Sequence, residues 1–253
     1  MLSKNKTKFV NALLSKKQRE QMQLFRVEGS NNVIDFLQSG LEATEIFATE
    51  NWINAHLDLI SDHKSEAITE AEMKKITALT TPSDVLALFA LPNQHSLPAS
   101  QLSSLTLMLD DIKDPGNLGT IIRTADWFGI RHIICSNSTT DAFSPKVVQA
   151  SMGSLSRVNI QYTELKTVLT SLKQDVPVYG ALLEGKSIQN ISHSGPGIIL
   201  IGSEAHGINP NLFSHINQKI TIPAGPPSNS GKAESLNASI ATAIICYQLT
   251  KAQ

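Results

Sequence analysis

Five polar side chains stand just after apolar runs, where a strand would hand over to a helix or loop. Asn117 and Arg123 follow the run Leu107-Met-Leu109 through an Asp114-Pro115-Gly116 turn. Glu204 lies within Ile198-Ile-Leu-Ile-Gly-Ser-Glu-Ala-His-Gly207, and Ser235 and Asn237 end a Pro/Gly-rich loop that begins after Ile220-Thr-Ile222. An arginine guanidinium is planar, always charged and rich in donors, which suits the grip of a phosphate or a ribose-phosphate backbone. Glycine at a strand end, here Gly202, lets backbone approach a ligand, and Glu204 adds an acid at the same edge. Each segment also has an ordinary reading: a helix cap beside a surface Arg, a turn with a solvent-facing Glu, and Ser235 as a cap. Capping by Ser235 does not account for Asn237, a poor helix former placed in the expected first turn. The loops carry neither the Gly-x-x-x-x-Gly-Lys-Ser/Thr nor the Gly-x-Gly-x-x-Gly pattern, which counts against nucleotide hydrolysis and dinucleotide redox chemistry.

These residues would be positioned by an alternation of strands and helices. Strands are predicted at 105–109, 132–135, 178–183, 198–201 and 219–222, and helices at 119–128, 145–155, 165–172 and 236–249. That order predicts an α/β fold with a mainly parallel sheet and helices on both faces. Ligands in such sheets sit beyond the carboxyl ends of the strands, where all five polar residues fall. Upstream, residues 8–19 read as a helix, 24–29 as a strand and 33–38 as a helix capped by Asn31 or Asn32. A strand at 45–49, a helix at 71–77 and a wholly apolar strand at 85–91 follow. The Pro/Ser/Gln/Asn-rich stretch 92–104 reads as a linker.

Composition restricts the class. Of 253 residues, 41% are hydrophobic and 17% charged, as expected of a globular rather than a disordered chain. No apolar run reaches the roughly 18 residues of a membrane span, and the N-terminus lacks a secretion-signal core, so a cytoplasmic location with no membrane partner is expected. Cys135 and Cys246 lie in apolar stretches and read as buried thiols, with no metal site implied. The net charge of -1 is unevenly spread: residues 1–26 hold seven basic residues against Glu20 alone, and 27–100 hold three against eleven acids. The basic arm, with Lys16, Lys17, Arg19 and Arg26, is a candidate contact for nucleic-acid phosphates. A solvated amphipathic helix would show the same charges.

Together the three segments resemble the motifs of the SpoU/TrmH branch of the SPOUT RNA methyltransferases. Asp114-Pro-Gly-Asn-Leu-Gly-Thr-Ile-Ile-Arg123 is similar to the first motif and Gly202-Ser-Glu-Ala-His-Gly207 to the second. Ile222-Pro223 with Glu234-Ser-Leu-Asn-Ala-Ser239 is similar to the third. Residues 144–153 resemble the connecting helix of the family, and 16–29 with 81–87 resemble the N-terminal RNA-binding domain of many members. The resemblance implies a small α/β RNA-binding domain at 1–96 and a SPOUT methyltransferase domain with a trefoil knot at 104–253. It also implies a homodimer, S-adenosylmethionine as cofactor, and methylation of a ribose 2′-hydroxyl. Ribosomal RNA, 23S in particular, is favoured over tRNA by the N-terminal domain and the lack of a basic C-terminal extension. The other readings are a tRNA methyltransferase, or an RNA-binding or ribosome-assembly factor that has lost catalysis.

By the same resemblance Arg123, Asn117, Glu204, Ser235 and Asn237 form the catalytic set. Ile201, Gly202, Gly207, Ile222, Ser235 and Leu236 would hold the cofactor. A guanidinium rarely deprotonates, so Arg123 is expected to position phosphate or ribose and to stabilise a developing alkoxide. One departure is evident. Ala224 stands where the family has a Met, and the loop over residues 225–231 is longer than usual.

Overall fold

The computed structural model describes residues 1–92, 104–226 and 233–251. The predicted linker 92–104 and the lengthened loop 225–231 therefore lie mostly outside the described residues. The chain divides into two compact units, one of residues 1–92 with Asp141–Arg157, the other of residues 104–140 with 158–251.

The first unit contains helices α1 (Lys4–Ala12) and α2 (Lys16–Met22), strand β1 (Leu24–Glu28), α3 (Ser30–Gln38), β2 (Ala43–Ala48), α4 (Glu50–Ala55), α5 (Leu57–Ile60), β3 (Ser65–Ala67), α6 (Glu70–Ile76) and β4 (Val85–Ala90). Its sheet has the order β1-β4-β2-β3, with β4 antiparallel to both neighbours and β2 parallel to β3. The helix expected over 8–19 is broken in two. Arg19 Nη1 donates to the carbonyls of Leu13 and Leu14 at 2.8 and 3.0 Å, taking acceptors that the end of α1 leaves open. The caps expected at Asn31 or Asn32 are also corrected: α3 begins at Ser30, and Asn32 lies inside it, donating to Glu28 O and Gln149 Oε1. Asp141–Arg157 completes this unit. The Phe143 ring joins an aromatic cluster 5.0 Å from Phe25, and Asp141 pairs with Arg19.

The second unit carries β5 (Leu105–Leu109), α7 (Pro115–Trp127), β6 (His132–Cys135), β7 (Asn159–Tyr162), α9 (Leu165–Thr170), β8 (Val178–Ser187), β9 (Gly197–Ile201), β10 (Gln218–Thr221) and α10 (Ala238–Thr250); α8 (Pro145–Ser151) belongs to the first. Its six strands run in the order β10-β8-β9-β5-β6-β7, every neighbouring pair parallel. The parallel sheet expected from the alternation is thus present. β5 and β9 are buried along their whole length, as their largely apolar sequences require of central parallel strands. Leu109 is paired with Ile201, so the first two motif loops leave the sheet side by side. The helix expected over 145–155 stops at Ser151, because Met152 turns left-handed at φ 49 before a 3-10 turn at Ser154–Ser156. Both cysteines are free and buried, and burial pushes the Cys246 thiol up to about 12. Among the described residues no helix is long and apolar enough to cross a membrane.

Candidate active site

Three elements converge at the carboxyl edge of the parallel sheet. α7 opens with Asp114 as its N-cap, accepting from Asn117 N at 2.8 Å, and with Pro115 in the first turn. This fixes Asn117 in the first turn of α7. After β9 the chain makes a tight loop closed by an antiparallel bridge between Ser203 and Gly207, with hydrogen bonds of 3.0 and 2.9 Å. Glu204 rides on its outer turn. Asn237 is itself the N-cap of α10, its Oδ1 accepting from Ser239 N at 3.0 Å and Ser239 Oγ at 2.6 Å. The expectation that Ser235 caps and Asn237 sits within the helix is therefore corrected, and the presence of Asn at this position is explained.

The polar ends of these residues meet at one carboxylate oxygen. Glu204 Oε1 accepts from Asn117 Nδ2 at 3.0 Å, Asn237 Nδ2 at 2.6 Å and Ala238 N at 3.2 Å. Asn237 Nδ2 also reaches Asn117 Oδ1 at 2.9 Å. A carboxylate bound by several N–H donors is held firmly, because charge-assisted bonds are short and strong. An oxygen so occupied suits orientation better than proton abstraction. Asn117, Glu204 and Asn237, drawn from three separate segments, are thus brought together.

The other expected residues lie around that cluster without joining it. Arg123 is exposed on the α7 face that also carries Gly116, Thr120 and Trp127. Ser235 and Leu236 are exposed just ahead of α10, Ile201 is buried at the end of β9, and Ile222 is half-buried just past β10. The role of Gly202 is revised by the geometry. A Cβ there would fall 2.1 Å from Gly207 C and 2.2 Å from Ile208 N, so the backbone it must admit is that of its own returning loop. Gly207 turns that loop at φ 68, a left-handed conformation that glycine adopts without strain.

Ile201, buried at the end of β9, and Ile222, half-buried just past β10, set apolar side chains beside loop backbone, the kind of lining that a flat, hydrogen-bonding heterocycle such as adenine would need. Sequence reading missed the polar floor of this edge. Asp111, left-handed at φ 60, pairs with Lys113 at 2.6 Å, and Lys113 also donates to Ser138 O at 2.7 Å. The Lys113 bond, then Ser138, holds the Asp111 carboxyl below its ordinary range. Asp110 is buried, and the signal for it was present: an acid directly after the largely apolar run Leu105–Leu109.

In the first unit, two of the four expected RNA contacts are corrected. Arg19 is 3% exposed and bound to Asp141 and two carbonyls. Arg26 is 1% exposed, donates to Ile76 O and pairs with Glu28 at 2.8 Å. Neither guanidinium faces outward to an RNA; both hold the unit together. Lys16 and Lys17 are exposed on α2, Lys16 lying 3.8 Å from Glu20.

Comparison with known proteins fits this geometry. The profile of the SpoU rRNA Methylase family matches residues 104–247, and that of the MRM3-like substrate binding domain matches residues 4–87. The chain is 30% identical over 246 residues to the 23S rRNA (guanosine(2553)-2'-O)-methyltransferase RlmP of Bacillus subtilis, covering 96% of this chain and 95% of that one. Among solved structures, a TrmH-family protein from Porphyromonas gingivalis superposes with a TM-score of 0.87 at 39% identity, covering 98% of both chains. An AdoMet-bound rRNA methyltransferase from Sinorhizobium meliloti superposes with a TM-score of 0.85 at 29% identity, covering 98% of this chain and 95% of that one.

Proposed function

Because the chain belongs to the SpoU rRNA methylase family, we propose that it methylates a ribose 2′-hydroxyl of ribosomal RNA, 23S rRNA in particular, with S-adenosylmethionine as methyl donor. The observation that carries this reading is the junction of Asn117, Glu204 and Asn237 through one carboxylate oxygen. It fixes three loops at one strand edge, as a reaction needing two substrates in line requires.

S-adenosylmethionine supplies an electrophilic methyl carbon on a positively charged sulfur. Ile201, Ile222 and Leu236, with the backbone at Gly202, Gly207 and Ser235, would hold its adenosyl part. Arg123 would grip the phosphate next to the target ribose and stabilise charge as the 2′-oxygen forms its bond to the methyl carbon and the carbon–sulfur bond breaks. The hydroxyl proton leaves to a phosphate oxygen or water, since a guanidinium is not a base at neutral pH. Asn117 and Asn237 keep Glu204 in place, and Ser235 completes the substrate wall.

The reading extends to assembly. Trp127 on α7 is 84% exposed, and Ile240 and Tyr247 on the adjoining α10 are half exposed. α10 is apolar on almost every side, which favours cover by further protein. A second copy seated on this face would form a homodimer with Arg123 at its margin. A trefoil knot in the second unit, RNA capture by the first unit through Lys16 and Lys17, and a cytoplasmic location belong to the same proposal. Calorimetry with S-adenosylmethionine, followed by labelled methyl transfer into rRNA and tRNA fractions, tests it. Heat of binding with label in rRNA is expected. A folded protein that binds no cofactor would instead be an RNA-binding factor without catalysis, and label confined to tRNA would overturn the choice of substrate.

A further inference from the structure

The loop that carries Glu204 is held at both ends by one residue outside it. Asp110 N donates to Ile201 O at 2.8 Å where the chain leaves β9, and Asp110 Oδ2 accepts from Asn209 N at 2.7 Å where the loop ends. Between these points the loop has little freedom. The Ser203–Gly207 bridge closes it, Gly202 lies against Gly207 and Ile208, and Asn209 goes on to cap the 3-10 turn Pro210–His215. Moving Asn209 therefore moves the whole loop rather than its tip alone.

The chemistry at position 110 is costly for a purely structural purpose. Asp110 is only 7% exposed, directly after a strand whose five residues are four apolar ones and a buried Thr106. Burial pushes its carboxyl above the ordinary range against the Asn209 bond, with smaller contributions from the charges of Asp111 and Glu164. A buried carboxylate is retained against desolvation where the strength and direction of its hydrogen bond matter.

We propose that Asp110 is a positioning residue for the methyl-transfer site: by bonding both ends of the Gly202–Asn209 loop it sets Glu204 Oε1 where Asn117 and Asn237 converge. It touches no reacting atom. Its effect passes through the loop to Glu204, and from Glu204 to the entries of α7 and α10. This rests on the methyltransferase reading for its consequence in turnover, but the geometric claim stands apart and is tested apart.

The test compares Asp110→Ala and Asp110→Asn in the full chain, with Glu204→Ala as the reference for a lost hub. The first readout is the side-chain amide resonance of Asn237 in nitrogen-15-labelled protein, which reports its bond to Glu204. Asp110→Ala should shift it toward the Glu204→Ala position, whereas Asp110→Asn, whose Oδ1 accepts the same N–H, should leave it near wild type. The second readout is S-adenosylmethionine affinity and methyl transfer into a 23S rRNA transcript. Asp110→Ala should lose about ten- to a hundredfold, the scale of a misplaced group near reacting atoms, and Asp110→Asn should recover most of it. An unmoved Asn237 amide in Asp110→Ala, or Asp110→Asn behaving like Asp110→Ala, would overturn the proposal. If Asp110→Ala does not fold, a displaced Asn237 amide in Asp110→Asn overturns it as well. Failure of wild-type protein to transfer methyl would count against the functional reading alone, since the resonance test needs no turnover.

Discussion

Asn237 serves two elements at once: its Oδ1 caps α10, while its Nδ2 lies 2.6 Å from Glu204 Oε1. The helix start and the hub of the site are therefore one side chain, and substitutions there can separate the two roles. Asn237→Ser keeps a capping oxygen and loses the amide donor. Thermal unfolding should change little, because good caps differ by less than about 1 kcal/mol, while methyl transfer falls at least about tenfold. Asn237→Asp also keeps the cap but sets a second carboxylate against Glu204. It should be the worse of the two in both assays, and equal behaviour of the two variants would show that the Glu204 contact is idle.

Arg123 is exposed on α7 and makes none of the hydrogen bonds that join Asn117, Glu204 and Asn237. Arg123→Ala should leave unfolding temperature and S-adenosylmethionine affinity nearly unchanged and lower transfer by about 10²- to 10³-fold, as for loss of one transition-state donor. Calorimetry beside single-turnover transfer checks the split. Equal loss in both would place Arg123 in cofactor binding instead.

The arginines and lysines of the basic arm should part company. Replacing Lys16 and Lys17 with Ala is expected to weaken rRNA binding and flatten its dependence on salt, since released counterions scale with phosphate contacts. Arg19→Ala should instead destabilise the first unit by about 3–5 kcal/mol, because it strands Asp141 and two helix-end carbonyls. Salt-dependent filter binding and denaturant unfolding distinguish these outcomes.

Asp110 gives a pH dependence with a definite sign. Its carboxyl titrates above the ordinary aspartate range because of burial. A group whose folded value is raised contributes stability below its unfolded value and loses that contribution as pH rises through the folded one. Asp110→Asn should therefore raise the unfolding temperature at neutral pH relative to wild type, with the gain shrinking as acid protonates Asp110. A gain independent of pH would contradict this source of the shift.

Much of the catalytic half was legible because parallel strands are short apolar runs and their loops collect the polar residues. β5, β6 and β9 appear as expected, and Asn117, Glu204 and Asn237 meet at one edge. The bond that joins them was not legible, since residues 87 and 120 positions apart leave no local trace in spacing. Charge alone also misled: Arg19 and Arg26 look like their lysine neighbours in sequence, yet Asp141 and Glu28 draw them inward. Asp141 lies 122 positions from Arg19 in sequence, so only the folded unit reveals that pairing. α10 starts two residues later than expected because Ser235 and Asn237 have similar capping preference.

The proposed reaction transfers methyl to a ribose oxygen of ribosomal RNA, and its product carries a chemical signature. The most direct measurement incubates the protein with radiolabelled S-adenosylmethionine and a 23S rRNA transcript, then hydrolyses the RNA in alkali. A 2′-O-methylated residue cannot attack its own 3′-phosphate, so label should be retained in an alkali-resistant dinucleotide from a single site. Label released as a base-methylated mononucleotide, or no label in rRNA from a protein that binds the cofactor, would contradict it.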